Sequence, residues 1–298
     1  MKKQMMNLYC QLLYNKYSDP YKIVRSRVLH NYMKDYILRN IVKRNQSKYI
    51  VKSGTYFKYC VDITEYGGIA FYFNLDHVFK DHFYLIDNFC EPDSVCVDVG
   101  ANLGMISLYC AYKNLNVVSI EPDEINFNLL RLNSSINNFN NIKALKTCIG
   151  NKDGFISFFK NPNNAGTHST IKDEILNDWD SYSPIDGFDF EDIIEVKSKI
   201  KKLDSLDLFD KPISYLKIDT EGNELDVLKG ATKLFKQNPP KIVVLEDRAN
   251  VERYRNRSKE YFKILLKFNY SINYFCNHKL TKNKDERTNF SDVVFVLK

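Results

Sequence analysis

The stretch VCVDVGANLG, Val95–Gly104, decides the fold. Val95 to Val99 read as a short apolar strand, yet Asp98 puts a carboxylate at its tip, where a core strand has no use for one. Gly100 lets the backbone turn sharply and approach a ligand, and Gly104 lets the next helix come close to the strand. MISLYCAYK then reads as that helix and NVVSIEP as a second strand. DEINFNLLRLNSSINNF places Ile125, Leu129, Leu132 and Ile136 along one helical face, and NIKALKTCIG reads as a third strand. Strands alternating with helices predict a mostly parallel α/β sheet covered on both faces.

Toward the N-terminus, residues 1–45 read as helical, with Val24, Val28, Tyr32 and Tyr36 forming one stripe. YIVKSGTYFKYCVDI and GGIAFYFNL read as strands, with Gly67 and Gly68 supplying the turn. A short helix over Phe79–Phe89 leads to a boundary at Glu91-Pro92. The expected division is therefore an N-terminal helical and β-hairpin extension, 1–90, followed by the α/β domain, 91–298.

Beyond Gly150 the alternation breaks. FISFFK (Phe155–Lys160) and IIEVKSKI (Ile193–Ile200) read as strands around a polar segment, Asn161–Asp192, longer than most loops and so functional or mobile. Alternation resumes with ISYLKID, a helix over Asn223–Lys236 and KIVVLED. FNYSINYF and SDVVFVL follow as strands around a basic connection.

The chain has 298 residues, 44% hydrophobic and 27% charged, as expected of a soluble globular protein. It contains no apolar run long enough to span a membrane, and its start lacks the pattern of a secretory signal. The seven cysteines include no CxxC pair and are read as reduced thiols in a cytoplasmic protein. The net charge of +6 concentrates in Lys22–Lys48 and Arg248–Arg287. Such runs suit nucleic acid, an anionic glycan or a lipid surface, but more often are solvated faces.

The glycine turn carries chemistry. A pyrophosphate prefers bare amides at a helix start, and Asp98 would repel it. A ligand bearing an ammonium and a sulfonium fits instead, although Asp98 could also serve as a helix N-cap. The second strand ends at Glu121, about 20 residues on, the usual place for a carboxylate that grips two ribose hydroxyls. Together these features point to S-adenosylmethionine.

KIDTEGNE puts Asp219 at a further strand tip. Asp219 either orients the ligand's ammonium or acts as a base. Glu221 either accepts a proton from a hydroxyl nucleophile or satisfies amides at the next helix. Glu246, at the tip of KIVVLED, is the next candidate base, and Glu224 belongs to the helix start. An Asp-x-Glu pair also suits Mg²⁺, but with no further acidic cluster evident, no metal is expected. His168, in the long loop, is a base by its intrinsic range or a surface residue. Trp179 and Tyr182 stack on a sugar or pin the loop. His30, His77, His82 and His278 show no metal-ligand spacing.

DVGANLGMISL, SIEPDEINFNLLRLN, SYLKIDTEGNELDVLKGA and PPKIVVLE together resemble the FkbM family of S-adenosylmethionine-dependent methyltransferases, over about Val95 to Glu246. KIDTEGNELDVLKG is the most specific block; residues 1–45 carry no resemblance. The resemblance implies a class I methyltransferase fold, Rossmann-like, with seven strands and the last one antiparallel. It also implies methyl transfer to an oxygen, often a sugar hydroxyl on a polysaccharide, glycolipid or natural product. By position, Asp98, Gly100, Ala101, Asn102 and Gly104 would hold the methionine portion. Glu121 with Pro122 would hold the ribose, and Cys148 would lie near the adenine. The partner would then be a small-molecule or glycan acceptor and not nucleic acid. The rival readings are a catalytically inactive binding protein of the same fold and a nucleic-acid methyltransferase, though no NPPY-like signature follows the fourth strand.

Overall fold

The structure is a computed structural model that describes residues 43, 46–63, 68, 71–72, 79–161, 165–175, 193–208, 210–247, 255–287 and 292–298. The stripe through Val24, Val28, Tyr32 and Tyr36 lies outside the described residues, as do His30, His77, Trp179 and Tyr182.

Tyr49–Ser53 (β1) and Lys58–Asp62 (β2) form an antiparallel hairpin with Tyr49 opposite Asp62. Its turn is closed by the Gly54 amide donating to the Phe57 carbonyl at 2.9 Å. The expected second strand, GGIAFYFNL, is corrected: Gly68, Phe71 and Tyr72 are helical. β1 already finds its partner within its own run, and the Tyr59 hydroxyl ties the Phe71 carbonyl down at 2.9 Å.

Lys80–Phe89 (α1) leads to Val95–Val99 (β3), Met105–Tyr112 (α2), Asn116–Ile120 (β4), Glu124–Ile136 (α3) and Ile142–Leu145 (β5). Cys148–Ile149 (β6), Gly154–Lys160 (β7) and Ile194–Lys201 (β8) make a separate small sheet in the order β6-β8-β7. Next come Ile213–Ile218 (β9), Glu224–Lys229 (α4), Thr232–Gln237 (α5) and Ile242–Glu246 (β10). Arg255–Lys267 (α6), Tyr270–Cys276 (β11), Lys279–Thr281 (β12) and Asp292–Leu297 (β13) complete the order.

The main sheet runs β12-β11-β13-β10-β9-β3-β4-β5. Neighbours from β10 through β9, β3 and β4 to β5 pair in parallel, whereas β13 is antiparallel to both β10 and β11. Seven strands with an antiparallel last one match the expected fold; the short β12 adds an eighth at the edge. Alternate residues of each strand feed two cores. Cys96, Tyr215, Val244 and Val294 pack under α1, α2 and the hairpin. Val97, Leu216, Val243 and Phe295 pack under α4, α5 and α6. Each large aliphatic side chain so covered contributes about 1.5–3 kcal/mol.

Three local readings are revised. The buried face of α3 is Asn126, Leu129, Leu130 and Asn133, with Ile125 49% and Leu132 43% exposed. Polar residues face inward because they have backbone to serve. The Asn133 amide donates to the Cys60 and Leu103 carbonyls at 3.2 and 3.0 Å and accepts from the Cys60 amide at 2.6 Å, docking the hairpin. NIKALKTCIG is two strands, because after Leu145 the chain leaves the main sheet and Cys148 pairs with Ile200. The helix expected over Asn223–Lys236 breaks at Gly230. A Cβ there would sit 1.9 Å from the Gly150 carbonyl oxygen. The Asp204 carboxylate then takes the Lys233 and Leu234 amides at 2.8 Å each and starts α5.

Candidate active site

Chain order runs β3, β4, β5 to one side of the sheet and returns at β9 on the other, so the direction reverses between β3 and β9. In such sheets the crevice opens beyond the carboxyl ends at that reversal. There the turn after β3 meets the tip of β9. Gly100 has φ +77°, and a Cβ on it would lie 1.8 Å from the Asp219 carbonyl oxygen, so no other residue fits. The Ile120 carbonyl accepts from both the Gly100 and Ala101 amides at 3.0 Å, and Asn102 follows with φ 52°. Gly104, at φ +87°, begins α2.

Asp98 is 1% exposed and does not cap a helix. Its Oδ2 accepts from the Ser107 hydroxyl at 2.6 Å, and Ser107 accepts from Ser119 at 2.6 Å. Its Oδ1, like the Oδ1 of Asn102, is buried without a hydrogen-bond partner. Glu121 is also buried; its two oxygens accept from the Asn102 and Asp123 amides at 2.8 and 2.9 Å. Burial pushes its carboxyl up to about 7. Pro122 links Glu121 to Asp123, which caps α3 through the Ile125 and Asn126 amides. Cys148 lies in the small sheet beside Phe158 and Ile200, its thiol pushed up to about 11 by burial.

Beyond β9 the chain turns through Asp219–Gly222, with Glu221 at φ 54° and Gly222 at φ +101°. Glu224 serves this turn. Its Oε1 accepts the Thr220 and Gly222 amides at 2.9 and 3.1 Å and the Thr220 hydroxyl at 3.0 Å. Glu224, the first residue of α4, therefore serves amides of the turn that precedes the helix. Asp219, Glu221 and Glu246 each bring a carboxylate oxygen within 4.8 Å of the other two. Glu246, the next candidate base in the sequence, is brought beside Asp219 and Glu221 by the parallel pairing of β9 with β10. Three carboxylates so close suit a cation.

The long loop folds back onto this turn through residues 165–175. The Ser169 hydroxyl donates to the Glu221 carbonyl at 2.8 Å, and Phe159 and Ser169 exchange backbone hydrogen bonds. His168 is occupied elsewhere. Its Nδ1 accepts from the Asn161 amide at 3.0 Å, and its Nε2 lies 3.8 Å from Asp123, which Lys160 also meets at 2.6 Å. Burial pushes the imidazole down to about 4, leaving it neutral near pH 7.

Sequence reading passed over Lys217. Its ammonium lies 3.1 Å from Asp219 Oδ2 and 3.7 Å from Asp98 Oδ1, and donates to the Gly100 carbonyl at 3.2 Å. Burial works against its charge, but Asp219 and then Asp98 hold it well above the usual lysine range. A lysine between Leu216 and Ile218 in a buried run carries the same signal as Asp98: a charge where a core strand has no use for one.

A reversal between β3 and β9, a glycine turn there and an antiparallel last strand define a class I methyltransferase fold. A family model for the methyltransferase FkbM domain matches residues 98–272, and the chain belongs to that family. It is 28% identical over 162 residues to Methyltransferase 1 of Beauveria bassiana, covering 51% of this chain and 64% of that protein. It is likewise 28% identical over 171 residues to Methyltransferase sdnD of Sordaria araneosa, covering 51% and 66%. Against the hexuronic acid methyltransferase AglP of Haloferax volcanii it is 30% identical over 163 residues, covering 54% and 59%. The chain thus spans less than two thirds of the length of each of these relatives. No helix among the described residues is long and apolar enough to cross a membrane.

Proposed function

We propose that the protein transfers a methyl group from S-adenosylmethionine to a hydroxyl oxygen, that of a sugar in a glycan, glycolipid or related metabolite. The observation that carries this is the pair of buried acceptors that receive no hydrogen bond, Asp98 Oδ1 and Asn102 Oδ1, at a glycine turn beside three converging carboxylates. Buried acceptors without donors are costly, and a ligand ammonium supplies donors. The residues present therefore fit the cofactor. Asp98, Gly100, Ala101, Asn102 and Gly104 would hold its methionine end, Glu121 with Pro122 its ribose, and Cys148 would wall the adenine side.

The cofactor supplies an electrophilic methyl group; this chain's residues align the acceptor and remove its proton. Alignment alone is worth roughly 7–11 kcal/mol in favourable models. Asp219 already shares one oxygen with the Lys217 ammonium at 3.1 Å, so we assign it to positioning. Glu221, within 4.8 Å of Asp219 and Glu246, takes the proton, with Glu246 as its neighbour. His168 stays outside this step, because its Nδ1 lone pair is held by a backbone amide. The sugar acceptor is supported by the AglP relative, whose name specifies a hexuronic acid. A reducing cytoplasm suits the six cysteines among the described residues, all free thiols, with the Cys110 thiol donating to the Cys96 sulfur at 3.1 Å.

Isothermal titration tests the cofactor: the folded protein is expected to bind S-adenosylmethionine, Asp98→Ala to lose that binding, and no binding by the parent would refute the proposal. Glu221→Ala should keep cofactor affinity but lower turnover about 10²–10⁴-fold on an acceptor identified by labelled-methyl transfer into glycan extracts. Unchanged turnover would remove Glu221 from the role. EDTA should leave the rate as it is, since the Lys217 ammonium disfavours a second cation beside Asp219. A loss reversed by Mg²⁺ would give the three carboxylates to a metal.

A further inference from the structure

Asp98 and Lys217 stand directly opposite each other in the parallel pairing of β3 with β9. Opposite charges so placed normally close on each other. Here the ammonium leans past its partner, to Asp219 Oδ2 at 3.1 Å and the Gly100 carbonyl at 3.2 Å, leaving Asp98 Oδ1 3.7 Å away. The Lys217 side chain is 9% exposed. It therefore joins, from the buried side, the two segments that touch through Gly100 and the Asp219 carbonyl.

We propose that Lys217 is a positioning residue of the cofactor cleft. Its ammonium fixes the Asp219 carboxylate and the Gly100 turn as one wall and leaves Asp98 Oδ1 as the open acceptor for the ligand's own ammonium. The inference rests on the S-adenosylmethionine reading and adds to it a residue that touches neither cofactor nor acceptor. Its physical basis is the cost of an uncompensated buried charge. Without Lys217, two carboxylates would flank a backbone contact with no cation between them, and the wall would open or take up a proton.

Lys217→Met keeps all but the last atom of the side chain's length and removes the charge. Titrated with S-adenosylmethionine, it is expected to bind about tenfold more weakly than the parent, or worse. Lys217→Ala should be as weak and should recover affinity with propylammonium but not with propanol, since charge and not volume is what is missing. A folded Lys217→Met that binds within about twofold of the parent would overturn the proposal. So would recovery of Lys217→Ala by propanol, or by neither compound. If Lys217→Met does not fold, Lys217→Met/Asp219→Asn is compared with Asp219→Asn alone: weaker binding by the double variant is expected, and equal binding overturns the proposal. Failure of the parent itself to bind would instead refute the cofactor reading, so the two failures are distinguishable.

Discussion

Glu121 illustrates how far one side chain can be read from its surroundings. Burial raises its carboxyl to about 7, although two amides donate to it. Ribose hydroxyls need the carboxylate as acceptor, so cofactor binding should favour the charged form and release a proton near pH 7. Affinity is then expected to fall from pH 8 to pH 6, by up to about tenfold per unit below the free-state value. Calorimetry in buffers of different ionisation heat would show the released proton, and Glu121→Gln should remove both the proton and the pH dependence. The sign for stability is opposite. A carboxyl raised on folding stabilises most at pH values below its unfolded range, and that contribution is lost as pH rises through about 7. The position of Glu121 was legible in the sequence, because a strand tip and its spacing suffice. The two amides were not, since they depend on how the Gly100 turn and the start of α3 meet.

Among elements, legibility followed the source of each boundary. β3, β4, β9, β10 and β13 are apolar runs buried on both faces, and their composition reveals them. The face of α3 was misread because Asn126 and Asn133 face inward, Asn133 to bond the hairpin backbone, which no apolar period records. The break between α4 and α5 was equally invisible. Glycine in a helical pattern is tolerated, and only the Gly150 carbonyl makes it obligatory here. Gly230→Ala should therefore cost about 3 kcal/mol of stability, read as a lowered urea midpoint. An unchanged midpoint would show that the close approach is not enforced.

At the scale of the whole molecule, alternation of strands and helices was enough to give the sheet, and the glycines to give the turn after β3. The convergence of Asp219, Glu221 and Glu246 lay beyond sequence reading because it joins two strand tips with a left-handed turn residue, Glu221. The small sheet was read as two strands and a loop. Its attachment beyond the tips of β4 and β9, through Lys160 and His168 on Asp123 and Ser169 on Glu221, is a tertiary fact.

One consequence concerns the order in which the protein can be made. β13 lies between β10 and β11, though it follows both along the chain. A nascent chain that has emerged only through β12 leaves β10 and β11 with unsatisfied amides and carbonyls facing the vacancy between them. Both the Glu246 tip and its cross-strand neighbour Asp292 then wait on the arrival of residues 292–297. Polypeptides halted at residue 291 should be retained by chaperones or aggregate, and a monomeric halted form that melts cooperatively would contradict this. Quality control of translation would thus reject any copy that stops short of the strand completing the interior.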